Sequence, residues 1–528
     1  LWRENWFSKG NEGGGMNHDI LITNGKCLSM TNHNQYDWLV VRNGLIHDVG
    51  FGEGYKKYLE KAGTVLDAKG GTVLPGFIDS HFHVVQAAIN SASVDLSRAE
   101  SFADIGELIV EAARNNDGDR VIRGIRLDEQ SLKENRLPDR NALDRYCTDR
   151  PVFINTVEYQ KSALNTYALL YYKIPFTLQG IEFDENQVPT GIISHLANVF
   201  LRENILRNIP NARRLEAVKS LSKTMIENGI TTVNAMEGGR LYSDKDAEFV
   251  YEYADQFPFD TVLFYQTMDV PKVREMNLGR IGGCLYVDGT FRARTSALSF
   301  DYRDSPGNRG GLNFTQEELN EFVLDCYVNK LQLALYTIGD RAIEQALSAH
   351  EYALDRTGNA NLRHRLEHVE LPTEKHIRRA KELELIFSVS PTYEYIWGGP
   401  EKLYWERLGE KYRLTNPFRE IMNEGVVVCG GSDCDVTPAD PLLGIHSAVN
   451  HPVETHRTDT YDAIKMFTCN GAYGISEENR KGYLEAGKLA DIVILDKDIL
   501  KVKKEKIKDV KVNYTIKSGN ILFDRLKR

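Results

Sequence analysis

Pro75-Gly76-Phe77-Ile78-Asp79-Ser80-His81-Phe82-His83 is the stretch on which the reading of this chain turns. A Pro-Gly start followed by an apolar run reads as a buried strand, and the run ends in His-x-His. On a strand, residues i and i+2 share a face, so His81 and His83 point together while Phe82 points away. Paired neutral imidazoles are good ligands for zinc or iron-class metals. An isolated HxH is equally a polar strand end with two unrelated histidines, so the surrounding chain must weigh in.

Outward from this stretch the chain alternates short apolar runs with helix-period segments. The runs VFINTVEY, GITTVNAM, GCLYVDG, LQLALYTIG, HRLEHVE, LIFSVSP and GVVVCGGSD read as strands beside GFIDSHFH. Between several of them lie helical stretches such as RRLEAVKSLSKTMIENG, FTQEELNEFVLDCYVNK, RAIEQALSAHEYALDR and PTEKHIRRAKELE. Eight β units followed by helices predict an α/β fold, a (β/α)8 TIM-type barrel over residues 75–471 with an insertion at about 92–214. His368 closes the sixth run and Asp433 the eighth. Barrels place their chemistry at such C-terminal strand ends. A carboxylate beside a metal-activated water can take its proton and pass it to a leaving group. Singly, His368 could be a capped or solvent-facing histidine and Asp433 a turn or N-cap aspartate. Together with His81 and His83 they make four such residues at the ends of three barrel strands, which is hard to attribute to accident.

Outside the barrel the texture is shorter and alternating. DILITNG, WLVVRNGLIHDVG and GTVLDAKGGTVLPG near the start match KLADIVILDKDIL and VNYTIKSGNILFDR near the end. These read as small antiparallel strands joined by tight turns. Neither half is large enough alone, so residues 16–74 and 472–528 are expected to build one composite β-sandwich domain. Residues 1–15, ending in a glycine cluster, read as a flexible leader.

Composition sets outer limits. Among 528 residues, 42% are hydrophobic and 27% charged, which excludes intrinsic disorder and a multi-span membrane protein. Lys+Arg number 65 against 75 Asp+Glu, a net charge of -10, so nothing favours nucleic acid or a membrane surface as partner. A small-molecule substrate is expected. The seven cysteines are scattered, odd in number and without CxxC spacing. That pattern predicts a reducing, cytoplasmic compartment.

Several segments together resemble the amidohydrolase superfamily of metal-dependent hydrolases, and within it the formamide-deformylase-like (amidohydrolase 3) branch. PGFIDSHFH is similar to the family's first-strand signature, YVDGTFRARTSAL to its fourth-strand segment and LYTIGDRAIEQAL to its fifth. RHRLEHVEL resembles the sixth, GGSDCDVTPADPLLGI the eighth, and GYLEAGKLADIVILD the return into the terminal β-domain. The resemblance runs from about residue 19 to residue 523. It implies a barrel with one or two divalent metals, zinc foremost and iron or manganese as alternatives. It further implies hydrolysis of a C–N bond in an amide or cyclic amide, with His81, His83, His368 and Asp433 as ligands and catalytic aspartate. Related enzymes often pair, which leaves a homodimer open.

The chain departs from that family at three places. Where many relatives carry a metal-bridging carboxylated lysine it has Cys284, and where they carry a histidine before the fifth-strand turn it has Tyr336. Where a histidine commonly stands five residues before the asparagine matching Asn165, it has Gln160. A thiolate at Cys284 is a soft anionic ligand able to bind zinc. Tyr336, with an ordinary pKa near 10, suits a neutral donor to a developing oxyanion. A small buried hydrophobe and a packed aromatic are the plainer roles for the two.

Candidate substrate contacts follow from position. Tyr286 and Asp288 share a face with Cys284, although Asp288 could equally close the turn with Gly289. Arg292 and Arg294 follow that strand and could clamp a carboxylate, with Arg294 the candidate retained. TYEYIWGGPEKLYWERLG offers Tyr393 and Trp397 as an aromatic wall, or equally as a self-packed loop cluster or dimer contact, and Gln160 completes the set. The expected centre is therefore His81, His83, His368, Cys284 and Asp433 on metal, with Asp433 and Tyr336 catalytic. A lyase, decarboxylase or isomerase on the same barrel, or a non-catalytic degenerate member, are the alternatives.

Overall fold

The computed structural model describes residues 19–115, 121–156, 161–239, 243–358 and 361–527. The chain divides into two compact units, one taking the chain up to Phe82, Ser222–Met236 and everything from Pro258, the other His83–Leu221 and Glu237–Phe257.

The first unit holds an eight-stranded sheet whose members are β1 (Phe77–Phe82), β2 (Ile230–Glu237), β3 (Asp260–Tyr265), β4 (Arg280–Tyr286), β5 (Gln332–Thr337), β6 (Arg365–His368), β7 (Ile386–Val389) and β8 (Val427–Gly430), in that order. β1 pairs with β2 and β3 through β8 pair successively, all in parallel. The segment after β8 returns to β1: the Asp433 amide donates to the His81 carbonyl at 2.9 Å, and Phe82 bridges Cys434 in parallel. The sheet is thereby barrel-like. Its strands are buried on both faces, which is why runs such as LALY and IFSV are almost continuously apolar.

Local signals fix the helices around it. Capping boxes at Thr315 and Thr373 start Gln316–Val328 and Glu374–Glu382, and left-handed Gly358 (φ 57°) ends Asp340–Thr357.

One expected strand is in the wrong sheet. Val152–Thr156, from VFINTVEY, pairs with Ile122–Leu127 and antiparallel with Lys161–Leu164 inside the second unit. Its barrel place is taken by β3, DTVLFY, a run of the same length class and composition that the sequence reading passed over. The second unit is built on that mixed six-stranded sheet and carries its own apolar clusters, one around Ile105, Leu127, Val152 and Ile154, another around Phe153, Leu169, Ile193 and Leu201.

Strands from both ends of the chain share a six-stranded sheet, ordered Asn520–Asp524, Val512–Lys517, Ile492–Leu495, Thr72–Pro75, Lys26–Leu28, Gln35–Tyr36. A four-stranded sheet of Leu45–Gly50, Trp38–Arg42, Ile20–Thr23 and Thr64–Asp67 accompanies it. Ile22, Leu39, Val73, Ile492 and Ile516 close one core between them. Both sheets are mixed rather than antiparallel, since Ile20–Thr23 runs parallel to Thr64–Asp67 and Lys26–Leu28 to Thr72–Pro75. No helix among the described residues is long and apolar enough to cross a membrane.

A buried histidine pair flanks the barrel. His364 accepts the Leu333 amide on Nδ1 at 3.0 Å, and His350 Nδ1 meets the Tyr327 hydroxyl at 3.0 Å. Burial holds both imidazoles down, His350 to about 3 and His364 well below its ordinary value. The unfolded chain therefore takes up protons below about pH 6.5 that the folded chain refuses. Stability should be full above that pH and fall towards pH 3, by up to ~1.4 kcal/mol per pH unit for each histidine. Denaturant midpoints from pH 7 to 4 check this, and replacing His350 with Asn should flatten the slope.

Candidate metal centre

His81 is the hub of the C-terminal face of the barrel. It is 1% exposed at the end of β1, its Nδ1 lies 2.7 Å from Glu367 Oε2, and its Nε2 lies 3.1 Å from Cys284 Sγ and 3.5 Å from Asp433 Oδ1. Burial opposes a charge here, but Cys284, Glu367 and Asp433 together hold the imidazolium up to about 10. The position favours positive charge.

Two three-residue groups meet at this histidine. The ligand atoms of His81, His83 and Cys284 all lie within 4.8 Å of one another, and so do those of His81, His368 and Asp433. All five side chains are buried. His368 provides the most direct sign of a missing partner: both its ring nitrogens are buried and neither has a hydrogen-bond partner among the described residues. An imidazole left so costs about 1–3 kcal/mol unless something takes its lone pair. A set of imidazoles, thiol and carboxylate fits a borderline-soft divalent cation such as zinc.

Backbone geometry brings these side chains inward. His368 (φ 69°), Val369 (φ 49°) and Asp433 (φ 52°) sit in the left-handed region that non-glycine residues avoid. Ser432 and Asp433 are fastened to β1, the Ser432 amide donating to Asp79 Oδ1 and the Asp433 amide to the His81 carbonyl, each at 2.9 Å. Gly431 makes the approach feasible, since a Cβ there would lie 2.6 Å from the His81 backbone nitrogen. Asp433 also accepts a hydrogen bond from the Tyr393 hydroxyl.

The remaining expected residues divide. Tyr393 stacks against His368 with ring centroids 5.8 Å apart, and Trp397 packs on Tyr393 at 4.5 Å, so both belong to the aromatic cluster beside Cys284. Tyr336 lies edge-on to His368 at 4.6 Å and against Tyr286 at 4.1 Å. Burial drives its phenol far above the ordinary range, and its hydroxyl donates to the Gly289 carbonyl at 3.2 Å. Asp288 faces no open space: it is fully buried and accepts the amides of Ala297 (2.9 Å), Ile338 (3.0 Å) and Gly339 (2.8 Å). Its carboxylate ties loops together through these three amides. Burial nonetheless lifts it to about 7. Arg294 is engaged bidentately by Asp304 at 3.1 and 2.7 Å. Gln160 lies outside the described residues.

Four residues escaped the sequence reading. Arg365 and Glu367 share a face of β6 and pair bidentately at 2.8 and 2.9 Å. Burial pushes Glu367 up, yet Arg365 and His81 hold it at about 2. Glu370 accepts from the Tyr404 hydroxyl, and burial, with Glu394, Asp288 and Asp433 adding to it, puts its carboxyl at about 8. In the second unit Glu237 accepts the Val85 amide at 3.1 Å and so caps the helix that starts after His83. Burial and then Asp246 lift it to about 8. An Arg-x-Glu-His string was the available signal for the first pair.

A model of the amidohydrolase family matches residues 64–523. The chain belongs to the amidohydrolase family. This amidohydrolase is 26% identical over 544 residues to N-substituted formamide deformylase of Arthrobacter pascens, covering 96% of the chain and 98% of that protein. It is 25% identical over 520 residues to Protein LONG AFTER FAR-RED 3 of Arabidopsis thaliana, covering 90% and 87%. A crystal structure of an uncharacterized metal-dependent hydrolase from Pyrococcus horikoshii superposes with a TM-score of 0.77 at 26% identity, over 92% of this chain and 99% of that one. The amidohydrolase is thus an enzyme of the metal-dependent hydrolase class, with a buried His/Cys/Asp set as its candidate metal site.

Proposed function

We propose that this amidohydrolase hydrolyses a C–N bond of an amide or cyclic amide in a small molecule, at a single zinc ion, with Asp433 as general acid and base. The observation that carries it is the meeting of His81/His83/Cys284 with His81/His368/Asp433 at one buried imidazole. His81 has Nδ1 committed to Glu367, and its one remaining lone pair serves one ion. The thiol of Cys284 favours zinc over manganese.

When bound, the cation supplies Lewis acidity, polarising the scissile carbonyl and acidifying the attacking water. The chain's own residues do the rest. Asp433, oriented by the Tyr393 hydroxyl and by its amide bond to β1, takes the proton of that water and returns it to the leaving nitrogen. Tyr336, a neutral phenol beside His368, serves as donor to the developing oxyanion by exchanging its bond to the Gly289 carbonyl. Tyr393 and Trp397 wall the substrate's apolar part. The name of the Arthrobacter relative makes N-substituted formamides the first substrates to try. All seven cysteines are unbridged and buried, which supports a cytoplasmic setting.

The test is turnover of N-substituted formamides and cyclic amides by the zinc-loaded chain in oxygen-18 water. Label in the acid product is the expected result. Turnover without label would identify a lyase or isomerase instead, and no turnover of either class would overturn the amide assignment.

A further inference from the structure

We propose that Arg365 and Glu367 are positioning residues for the metal centre, acting through His81 by fixing which of its ring nitrogens carries the proton. The inference rests on the metal-dependent reading above. Glu367 receives two donors from Arg365, Nε at 2.8 Å on Oε1 and Nη2 at 2.9 Å on Oε2, and Oε2 also lies 2.7 Å from His81 Nδ1. A carboxylate held bidentately by a guanidinium has no hydrogen to give. The proton between Glu367 and His81 therefore sits on Nδ1, and Nε2, which faces Cys284 Sγ at 3.1 Å and Asp433 Oδ1 at 3.5 Å, is the nitrogen that would give up its proton to a cation. His81 is the residue that both ligand groups share.

Arg365 is itself immobilised, donating to the Ser80 carbonyl at 2.6 Å and to Ser388 Oγ at 2.8 Å, so it links β1, β6 and β7. Arg365, Glu367 and His81 are each at most 1% exposed, and water cannot substitute for either partner. A carboxylate behind a ligating histidine orients its ring and raises its basicity, and removing one commonly costs 10–100-fold in metal affinity. A plain cross-brace would predict something different: any cut in the Arg365 network would matter equally.

The experiment compares zinc affinity, by chelator competition, of the wild-type chain with Glu367→Gln and Ser388→Ala. Glutamine keeps the volume of residue 367 but presents an amide nitrogen to Arg365 or to His81. The expected results are a loss of about 10–100-fold for Glu367→Gln, a changed cobalt(II) absorption spectrum, and wild-type affinity for Ser388→Ala. Equal affinities for wild type and Glu367→Gln, or equal losses in the two variants, would overturn the proposal. If Glu367→Gln does not fold, nitrogen-15 spectra of the zinc-loaded wild type, in which His81 keeps a single N–H, decide the matter, with His81 assigned by its loss in His81→Asn. Nδ1–H supports the proposal and Nε2–H overturns it. Failure of the wild type to bind zinc at all would instead overturn the metal-dependent reading, and this inference with it.

Discussion

Replacing Asp433 with asparagine is expected to lower turnover about 10²–10⁴-fold, the usual worth of a positioned general acid and base. Asparagine keeps the shape and its amide still bonds the His81 carbonyl at 2.9 Å, so the seam with β1 is retained. What is lost is the ability to accept and return a proton. Zinc content should stay close to stoichiometric, because His81, His83, Cys284 and His368 are untouched. Elemental analysis beside steady-state kinetics separates the outcomes. Full turnover in the variant would remove Asp433 from the mechanism, and loss of both metal and turnover would make it principally a ligand.

The second large effect is expected from the metal itself. Stripping zinc with a chelator should abolish turnover and lower the unfolding free energy, by ~2.7 kcal/mol relative to protein held at zinc a hundredfold above Kd. Readdition should restore both. His81→Ala removes the atom that both ligand groups share and should leave zinc at background, whereas Cys284→Ser cuts only one group and should weaken binding without abolishing it. Undiminished turnover in a chain shown by elemental analysis to be metal-free would end the metal-dependent account. Two tightly held equivalents would end the single-ion version.

Much of the fold was legible because its elements announce themselves locally. The helices in FTQEELNEFVLDCYVNK and PTEKHIRRAKELE and the turn in VNYTIKSGNILFDR each stand where the sequence suggests. The error over Val152–Thr156 and β3 is of another kind. Both runs are short, β-branched and aromatic, and which sheet receives each is decided by partners far away in the chain. No period within either run contains that information.

The site shows the same division. HxH could be read because an extended strand puts i and i+2 on one face. Glu367 could not, because the same alternation assigns Glu367 and His368 to opposite faces and the histidine was the obvious candidate. The chain escapes that constraint by leaving extended geometry at His368 (φ 69°) and Val369 (φ 49°), which brings His368 to the centre while Glu367 already reaches His81 from the strand. The partners of Arg294 and Asp288 are hidden for the converse reason: nothing near them in sequence reveals that Asp304 and three amides engage them.

The seam between the first and last barrel strands also sets an order of events during synthesis. Asp79 and Ser432, which are bonded there, are 353 positions apart, an interval of roughly 20–70 s at about 5–20 residues per second. His81, His83 and Cys284 have all been made well before Asp433 exists. A growing chain that captured a cation before Asp433 emerged would draw on imidazole and thiol of this set, and the Asp433 carboxylate would join them as the last strand docks.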